Sequence, residues 1–326
     1  MSHVTSPEVP RFRLFDQPSP LHRLPRFSAA LGGRVDVWIK REDLLPLAFG
    51  GNKLRNLEFL VGAALAEGAD TMVTSGRRWS NHCRLTAAAG AVAGLAVELV
   101  LSGPPVVPPG PGVRLMSSLG ATVHELATED RADREARVAA VMDELRASGR
   151  RPYLIEVGGT GAVGAFGQVL AAREAMDQAT AAGVRLASIV VPSATGGTQA
   201  GLLVGGASDP TPPVIDGILV ARTDEELRPS IAALVETLGA RAAVSVAPSA
   251  IRLDASQLGD GYGRPTPAAA EATDLLARTE GILVDPIYTA KALAGLIGAV
   301  RSGQHDGQAI LFWHAGGLPG IFEPLD

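Results

Sequence analysis

The sequence predicts an α/β fold in which open, twisted, mostly parallel sheets are flanked by helices. Short β-branched runs alternate with Ala-rich helical segments along the chain, which is the order that builds parallel sheets. The predicted strands are almost continuously apolar, as in sheets that are buried on both faces. The 326 residues, 46% of them hydrophobic, are enough to bury a large core in one large or two moderate domains.

The predicted elements follow one another along the chain with few long interruptions. Strands are expected at residues 35–40, 71–74, 97–101, 123–126, 153–157, 189–192, 214–220 and 310–313. Helices are expected at residues 54–67, 81–95, 131–147 and 166–182. The Pro- and Gly-rich segments 103–112 and 208–213 are predicted loops.

The composition argues against several classes of function. The net charge is −5 and no basic stretch is present, which disfavours nucleic acid and anionic membranes as partners. No apolar run approaches the roughly 18 residues of a membrane helix, and residues 1–17 lack the apolar core of a signal peptide. Cys83 is the only cysteine, so an internal disulfide is impossible and a cysteine-based zinc site is not expected. We therefore expect a cytoplasmic protein without a metal site.

Lysine is rare in this chain, and one lysine has a distinctive context. Only Lys40, Lys53 and Lys291 occur, so the other 26 of the 29 basic residues are arginine, which cannot be deprotonated near neutral pH. The pair before Asn52 is Gly-Gly, which allows tight backbone geometry, and Asn52 is a good helix N-cap. Lys53 then falls at the positive end of a helix dipole, which favours a neutral, nucleophilic amine. The same position also suits an ordinary solvated lysine.

A second candidate segment, residues 75–84, joins a predicted strand to an Ala-rich helix. Such turns in parallel sheets are where ligands usually bind. Ser80 is either a ligand-facing hydroxyl or a plain helix N-cap. Cys83 is expected to be inert core, and His82 has no neighbouring carboxylate in sequence for a relay or a metal site.

A third segment, residues 193–201, has the pattern of an anion cradle. It follows a strand, contains Thr195, Gly196, Gly197 and Thr198, and leads into a small-residue helix. Exposed amides at a helix N-terminus bind phosphate, and the two threonine hydroxyls strengthen this interpretation over an ordinary Gly-rich turn. A Gly-Lys-Ser/Thr ending is missing, so a nucleotide P-loop is excluded.

A competing motif comes earlier in the chain. Gly159, Gly161 and Gly164 match the spacing of a dinucleotide fingerprint and follow a predicted strand. The acidic residue that should end the next strand is absent, because that strand ends in Val191-Pro192-Ser193. A nicotinamide-dependent oxidoreductase nevertheless stays open as an alternative of a different class, as does a ligand-binding relative without activity.

Two of the three tyrosines lie in C-terminal segments. Tyr262 stands between two glycines, and Tyr288 precedes Thr289. Phenols suit proton transfer and ring contacts in a pocket, although structural burial is the default for either one alone.

Taken together, these segments resemble the fold-type II pyridoxal-phosphate enzymes, of the tryptophan synthase β-like fold. The resemblance is to the family of 1-aminocyclopropane-1-carboxylate (ACC) deaminase and D-cysteine desulfhydrase, and runs from about residue 39 to residue 322. It implies two domains, with a small domain at residues 56–165 inserted into a large one formed by residues 1–55 and 166–326.

The resemblance also implies roles for single residues. Lys53 would hold pyridoxal 5'-phosphate as a Schiff base and shuttle protons. Ser80 would act on the substrate carboxylate or on a proton, and Asn81 would meet the ring oxygen of the cofactor. The phosphate would bind the loop of Thr195, Gly196, Gly197 and Thr198. The catalytic set would be completed by Tyr262 and Tyr288, which face the substrate.

Three positions depart from the pattern of the family. The deaminases carry a glutamate near the pyridine nitrogen, where this chain has Thr289 as in the desulfhydrases. A neutral partner weakens the electron sink and favours elimination of a good leaving group over ring opening. Trp79, after Arg77 and Arg78, replaces the usual Gln before Ser80, and Ala315 replaces a Thr or Leu. The expected substrate pocket comprises Trp79, Ser80, His82, Tyr262, Tyr288 and Ala315.

These observations predict a homodimeric lyase or deaminase for a small amino acid. The expected reaction is β-elimination followed by hydrolysis to a keto acid and ammonia, with D-cysteine as the first candidate substrate. ACC deamination and β-replacement on an atypical β-substituted amino acid are the alternatives.

Overall fold

Two sheets organise the chain, which is described here by a computed structural model for residues 9–104 and 106–324. In chain order the strands are β1 (Leu21–Arg23), β2 (Asp36–Arg41), β3 (Thr71–Arg77), β4 (Ala96–Ser102), β5 (Thr122–Leu126), β6 (Pro152–Leu154), β7 (Leu186–Ser193), β8 (Val214–Leu219), β9 (Arg252–Asp254) and β10 (Ala309–His314). The helices are α1 (Pro25–Ala30), α2 (Lys53–Ala66), α3 (Asn81–Ala93), α4 (Pro111–Ser118), α5 (Arg131–Ala147), α6 (Ala162–Ala181), α7 (Gly197–Gly206), α8 (Asp224–Ala242), α9 (Pro267–Glu280) and α10 (Thr289–Arg301).

The larger sheet has the strand order β1-β2-β10-β7-β8-β9, and only the β1–β2 pair is antiparallel. The smaller sheet has the order β5-β4-β3-β6 and is parallel throughout. The predicted α/β class with mostly parallel sheets is therefore confirmed. All four strands of the smaller sheet lie within residues 71–154, inside the range predicted for a small domain, whose boundaries stay a prediction.

Both faces of the larger sheet are buried, as its apolar strands predict. On β10, Ile310 and Phe312 join the core under α1, α9 and α10, whereas Leu311 and Trp313 join the core under α6, α7 and α8. A third core packs α2 and α3 against the smaller sheet. Because each strand has helices on both sides, its ends are the places where polar groups can collect.

Some predicted boundaries are correct and others are not. Helix α5 begins and ends at the predicted residues. The predicted loop 103–112 is wrong at its end, because Pro111 opens α4 at the N1 position that proline favours. The predicted strand 153–157 is also wrong at its end, because β6 stops at Leu154 and a 3-10 turn follows at Val157–Gly159.

Among the residues that the structure describes, no helix is long and apolar enough to cross a bilayer. Within the same residues no group of three metal-ligating side chains is found. The prediction about residues 1–17 falls partly outside the described residues, as does residue 105 of the predicted loop.

Candidate active site

The topology brings the carboxyl ends of several strands to one place. Strands β2, β10 and β7 are parallel neighbours, so the segments that follow them lie side by side. Asn52 N–H donates to Ala315 O over 2.9 Å, which joins the segment before α2 to the one after β10. A Cβ on Gly316 would lie 2.5 Å from Gly51 Cα, so this close approach requires glycine.

A cavity of about 490 Å³ opens at this junction and extends to the end of β3. Its walls include ten of the residues predicted for the site: Lys53, Ser80, Asn81, His82, Thr195, Gly196, Thr198, Tyr262, Tyr288 and Ala315. The volume lies in the range of cofactor and substrate pockets, roughly 300–1,000 Å³. Segments far apart in sequence thus meet in one cavity.

Lys53 is the first residue of α2, and its partly buried amine lies beside a backbone carbonyl on the cavity wall. Lys53 Nζ donates to Gly158 O at 2.8 Å, and within the described residues no carboxylate lies at ion-pair distance from it. Burial lowers the pKa of Lys53 to about 8, because the desolvated ammonium is disfavoured. A substantial share of the amine is therefore neutral near physiological pH.

The amines of the other two lysines are engaged in hydrogen bonds away from the cavity. Lys40 Nζ donates to the side chains of Glu174 and Gln178, each at 2.6 Å. Lys291 Nζ donates to two backbone carbonyls, Leu258 O at 2.8 Å and Gly261 O at 3.2 Å. The bonds of Lys291 hold the loop that carries Tyr262, which is a structural role.

Asn52 is positioned differently from the prediction. It precedes α2 as the N-cap residue, but its backbone is already helical and its side chain makes no capping bond. Asn52 Nδ2 instead donates to Thr198 Oγ1 at 2.8 Å. The predicted capping role is wrong, because the side chain ties the lysine helix to the glycine-rich loop.

That loop has the geometry of an anion cradle. Gly196 has φ of +82°, a left-handed conformation that favours glycine, and a Cβ there would lie 2.5 Å from Ile231 Cγ1. Helix α7 begins at the next residue, and the first N–H groups of a helix have no intrahelical acceptor. Thr195 Oγ1 accepts from Thr160 Oγ1 at 2.7 Å, which fixes the hydroxyl on the wall of the cavity.

His82 is a neutral side chain of defined tautomer. Thr74 Oγ1 gives its single proton to Ile155 O at 2.8 Å, so His82 Nε2, 3.0 Å away, must be the donor in their contact. His82 Nδ1 therefore carries a lone pair, and it is buried without a partner among the described residues. Burial, followed by the charge of Lys53, lowers the pKa of His82 to about 3.

Ser80 is the N-cap of α3 and also lies on the cavity wall. Its Oγ accepts from Cys83 N–H at 3.2 Å, as an N-cap of α3 does, and the side chain also lines the cavity. Cys83 is fully buried, and burial raises the pKa of its thiol to about 12, so it is inert as expected.

Tyr262 and Tyr288 form a pair on the cavity wall. Their hydroxyls share a short hydrogen bond, and their ring centroids are 5.8 Å apart. Burial raises the pKa of Tyr262 to about 12, and burial together with the neighbouring phenol raises the pKa of Tyr288 well above its ordinary value. Both phenols therefore stay protonated near neutral pH.

Three residues predicted for the site do not line the cavity: Trp79, Gly197 and Thr289. Trp79 supports Tyr262 from outside, with ring centroids 6.1 Å apart. Gly197 opens α7 behind Gly196. Thr289 is buried, and its Oγ1 donates to Asp285 Oδ2 at 2.5 Å.

Asp285 was not predicted, although it organises one wall of the cavity. Its carboxylate accepts N–H bonds from Ile287, Tyr288 and Thr289 at 3.0, 2.7 and 3.1 Å, which fixes the start of α10. Burial raises the pKa of this carboxyl group, while the hydrogen bonds oppose that shift. The Asp-x-x-Tyr-Thr spacing at the start of a helix was the signal that could have revealed it.

The cavity also has a charged side that the sequence did not assign. Its charged walls beyond Lys53 are Arg77, Arg131, Arg134, Arg222, Glu129 and Glu226. Of the pair Arg77-Arg78, only Arg77 lies there. Arg78 points away from the cavity and bonds to Glu125, Gly103 O and Leu126 O.

Comparison with known proteins identifies the family. The family described as "Pyridoxal-phosphate dependent enzyme" matches residues 13–316. The chain belongs to this family.

Relatives and solved structures agree with that assignment. D-cysteine desulfhydrase of Salmonella typhi is 41% identical over 327 residues, covering 99% of this chain and 98% of the relative. A crystal structure of an ACC deaminase homologue is 34% identical with a TM-score of 0.89, covering 97% of this chain and 94% of that chain. A crystal structure of a threonine deaminase from T.th., at 21% identity and a TM-score of 0.68, covers 92% of each chain and shares the fold. The predicted family, fold type and cofactor class are confirmed.

The residues present fit pyridoxal phosphate. The amine of Lys53 and the amide cradle at the start of α7 lie on the walls of one cavity, and His82 Nδ1 is a buried polar atom without a partner among the described residues. The competing Gly159 segment serves packing, since a Cβ on Gly164 would lie 2.4 Å from Gly159 O. The family match leaves the nicotinamide alternative without support.

Proposed function

We propose that this protein is a D-cysteine desulfhydrase-like lyase. It would remove the β substituent of a small amino acid and release a keto acid, ammonia and the leaving group. The observation that carries the proposal is the position of Lys53: a partly buried amine with a lowered pKa shares a cavity with an anion cradle and two protonated phenols. The name and 41% identity of the Salmonella typhi relative supply the first candidate substrate, D-cysteine.

Each wall of the cavity has a part in this reaction. Bound pyridoxal phosphate supplies the electron sink for the electrons left at Cα. The N–H groups at the start of α7 and the hydroxyls of Thr195 and Thr198 would hold its phosphate, and Asn81 would contact its ring oxygen. Lys53 would bind the cofactor covalently and, once displaced by the substrate, take the Cα proton at Nζ, because burial favours its neutral amine.

The remaining groups would orient the substrate and protonate the leaving group. Ser80 Oγ, held by the first turn of α3, would donate a hydrogen bond to the substrate carboxylate or transfer a proton. Tyr262 and Tyr288 stay protonated, so either phenol can donate to a departing thiolate. His82 is neutral and would accept a hydrogen bond at Nδ1.

Spectroscopy and a substrate panel test this proposal. The purified protein should be yellow, and borohydride reduction should attach the cofactor irreversibly to the peptide that contains Lys53. Keto acid release is then measured with D-cysteine, L-cysteine, D-serine and ACC. A colourless protein that does not respond to added pyridoxal phosphate would contradict the proposal.

ACC deamination is the second candidate, favoured by the 34% identical solved structure. Thr289 would be a neutral partner for the pyridine nitrogen, which disfavours ACC deamination. Thr289 Oγ1 donates to the buried Asp285 carboxyl group, however, so an acidic group does lie next to this threonine. A profile dominated by ACC would decide for this candidate, and release of a substituted amino acid would decide for β-replacement.

We further propose that the protein is a cytoplasmic homodimer and that ammonia is released by hydrolysis. We also propose a large domain formed by residues 1–55 and 166–326 and a small domain formed by residues 56–165. A single, buried cysteine suits a reducing compartment. Leu44 and Phe49, 53% and 59% exposed, lie on the segment before Lys53 and suit contact with a second copy. Light scattering during size exclusion measures the mass, and a monomer would contradict the dimer.

A further inference from the structure

Two arginines give the smaller-sheet side of the cavity an unusual donor set. Arg77 ends β3, and Arg134 lies on α5. Arg134 Nη1 donates to Ser102 Oγ at 3.1 Å, and Ser102 is the register partner of Arg77 on the neighbouring strand. The two guanidinium groups are therefore held beside each other on the same wall.

Each guanidinium keeps a donor that the described part of the protein does not satisfy. Arg77 Nη1 and Arg134 Nε are buried and have no hydrogen-bond acceptor among the described residues. The carboxylate of Glu129 lies 3.5 Å from Arg77 Nη1, but it is 60% exposed while the Arg77 side chain is only 16% exposed. A buried charged donor without an acceptor raises the free energy of the folded protein. A bound anion that accepts hydrogen bonds from these two atoms would remove this penalty.

Nearby positive charge is also unfavourable for Arg134. Burial lowers the pKa of Arg134, and so do the charges of Arg77 and Arg131, while Cys83 and Glu135 oppose this shift. The guanidinium groups of Arg77 and Arg134 therefore repel each other. Glu226, another acidic wall residue, accepts from Thr223 N–H at 2.9 Å in the capping box of α8 and is thus engaged at that helix start. An anion between Arg77 and Arg134 would relieve the repulsion.

The position of the pair separates it from the phosphate cradle. Ser80 N–H donates to Arg77 O at 2.9 Å, so Arg77 adjoins the hydroxyl proposed to act on substrate. The cradle belongs instead to the larger sheet, between β7 and α7. An anion bound by Arg77 and Arg134 is therefore expected to belong to the substrate rather than to the cofactor.

We propose that the substrate is a small α-amino acid whose β substituent is itself an oxyanion, a sulfonate or a phosphate ester, and that Arg77 and Arg134 bind this group. The inference rests on the proposed function and specifies its substrate class. The Cα proton is lost, the Cβ–S or Cβ–O bond breaks, and the bonding electrons leave with the oxyanion as sulfite or phosphate. Water then releases the keto acid and ammonia, so no oxidant or reductant is required.

The test compares holoenzyme activity on oxyanionic and thiol substrates. We expect kcat/KM for cysteate or O-phosphoserine, in either enantiomer, to equal or exceed that for D-cysteine. Arg77→Gln and Arg134→Gln should lower the ratio of these two kcat/KM values at least about tenfold, mainly through KM, the loss expected for one charge-assisted hydrogen bond. Arg77→Lys should recover part of the loss. Arg146→Gln is the matched control, because Arg146 lies on α5 but is exposed and pairs with Asp143.

A second readout identifies which anion the arginines bind. The Kd for pyridoxal phosphate, followed by the absorbance of the bound cofactor, should be unchanged in both Gln variants. A raised Kd would assign the arginines to the cofactor phosphate and overturn the inference. An equal loss of kcat/KM on oxyanionic and thiol substrates would also overturn the inference, because it would show that the arginines have only a structural role.

The remaining outcomes separate this inference from the proposed function. Activity on D-cysteine without activity on either oxyanion would overturn the inference and leave the lyase proposal intact. A protein that binds no cofactor would remove both.

Discussion

The perturbed amine of Lys53 makes cofactor capture by the apoenzyme dependent on pH in a predictable way. Only a neutral amine attacks the aldehyde of pyridoxal phosphate, so the capture rate follows the deprotonated fraction of Lys53. With a pKa of about 8, that fraction increases about tenfold per pH unit below pH 8 and levels off above it.

The size of the effect follows from the same pKa. At pH 7.4 a pKa of about 8 leaves about 20% of the amine neutral. An ordinary lysine with a pKa near 10.4 would be only about 0.1% neutral, so the structure predicts capture roughly 200-fold faster than by an unperturbed lysine.

The assay is stopped-flow absorbance of apoenzyme mixed with excess pyridoxal phosphate between pH 6 and 10.5. Lys53→Arg, whose guanidinium cannot lose its proton, is the control and should show no capture. A rate that continues to rise through pH 10 would refute the argument from burial, and capture by Lys53→Arg would assign the chemistry to another lysine.

Five further variants test the helix cap, the packing and the phenol pair. Ser80→Ala should lower the free energy of unfolding by about 1 kcal/mol through the lost N-cap, whereas Ser80→Gly should lower it by only a few tenths of that. Urea denaturation measures these stabilities. If both variants nevertheless lose activity equally, the loss comes from the missing hydroxyl and not from the weakened helix cap. Gly201→Ala would place a Cβ 2.3 Å from a side-chain carbon between α6 and α7 and should destabilise by about 1–3 kcal/mol. Gly298→Ala, with no atom within 4 Å of its Cβ, should instead stabilise by about 0.5–1 kcal/mol, and a thermal melt that ranks the two in the opposite order would contradict the packing. Tyr288→Phe should lower kcat about 10²-fold with the cofactor spectrum retained, and an unchanged kcat would remove the phenol from the reaction.

The sequence by itself determined the elements that depend on near neighbours in the chain. Apolar runs and small-residue helices specify parallel sheets, and the strand–loop–helix segment around Gly196 specifies an anion cradle, because backbone geometry and helix dipoles are local properties. The isolation of Lys53 among so few lysines was also visible without coordinates. These features were enough for the family, the fold type and the cofactor class.

Only the tertiary structure decided where the neighbouring side chains point. Arg77 and Arg78 are adjacent in sequence, yet Arg77 lines the cavity while Arg78 bonds to Glu125 and to backbone carbonyls, because β3 ends at Arg77 and the chain turns at Arg78. Asn52 has the sequence position of a cap and instead bonds Thr198, 146 residues away. The pKa of Lys53 depends likewise on burial by distant segments. Hydrogen bonds and desolvation arise between elements that only folding brings together, so the charged side of the cavity could not be predicted from local pattern.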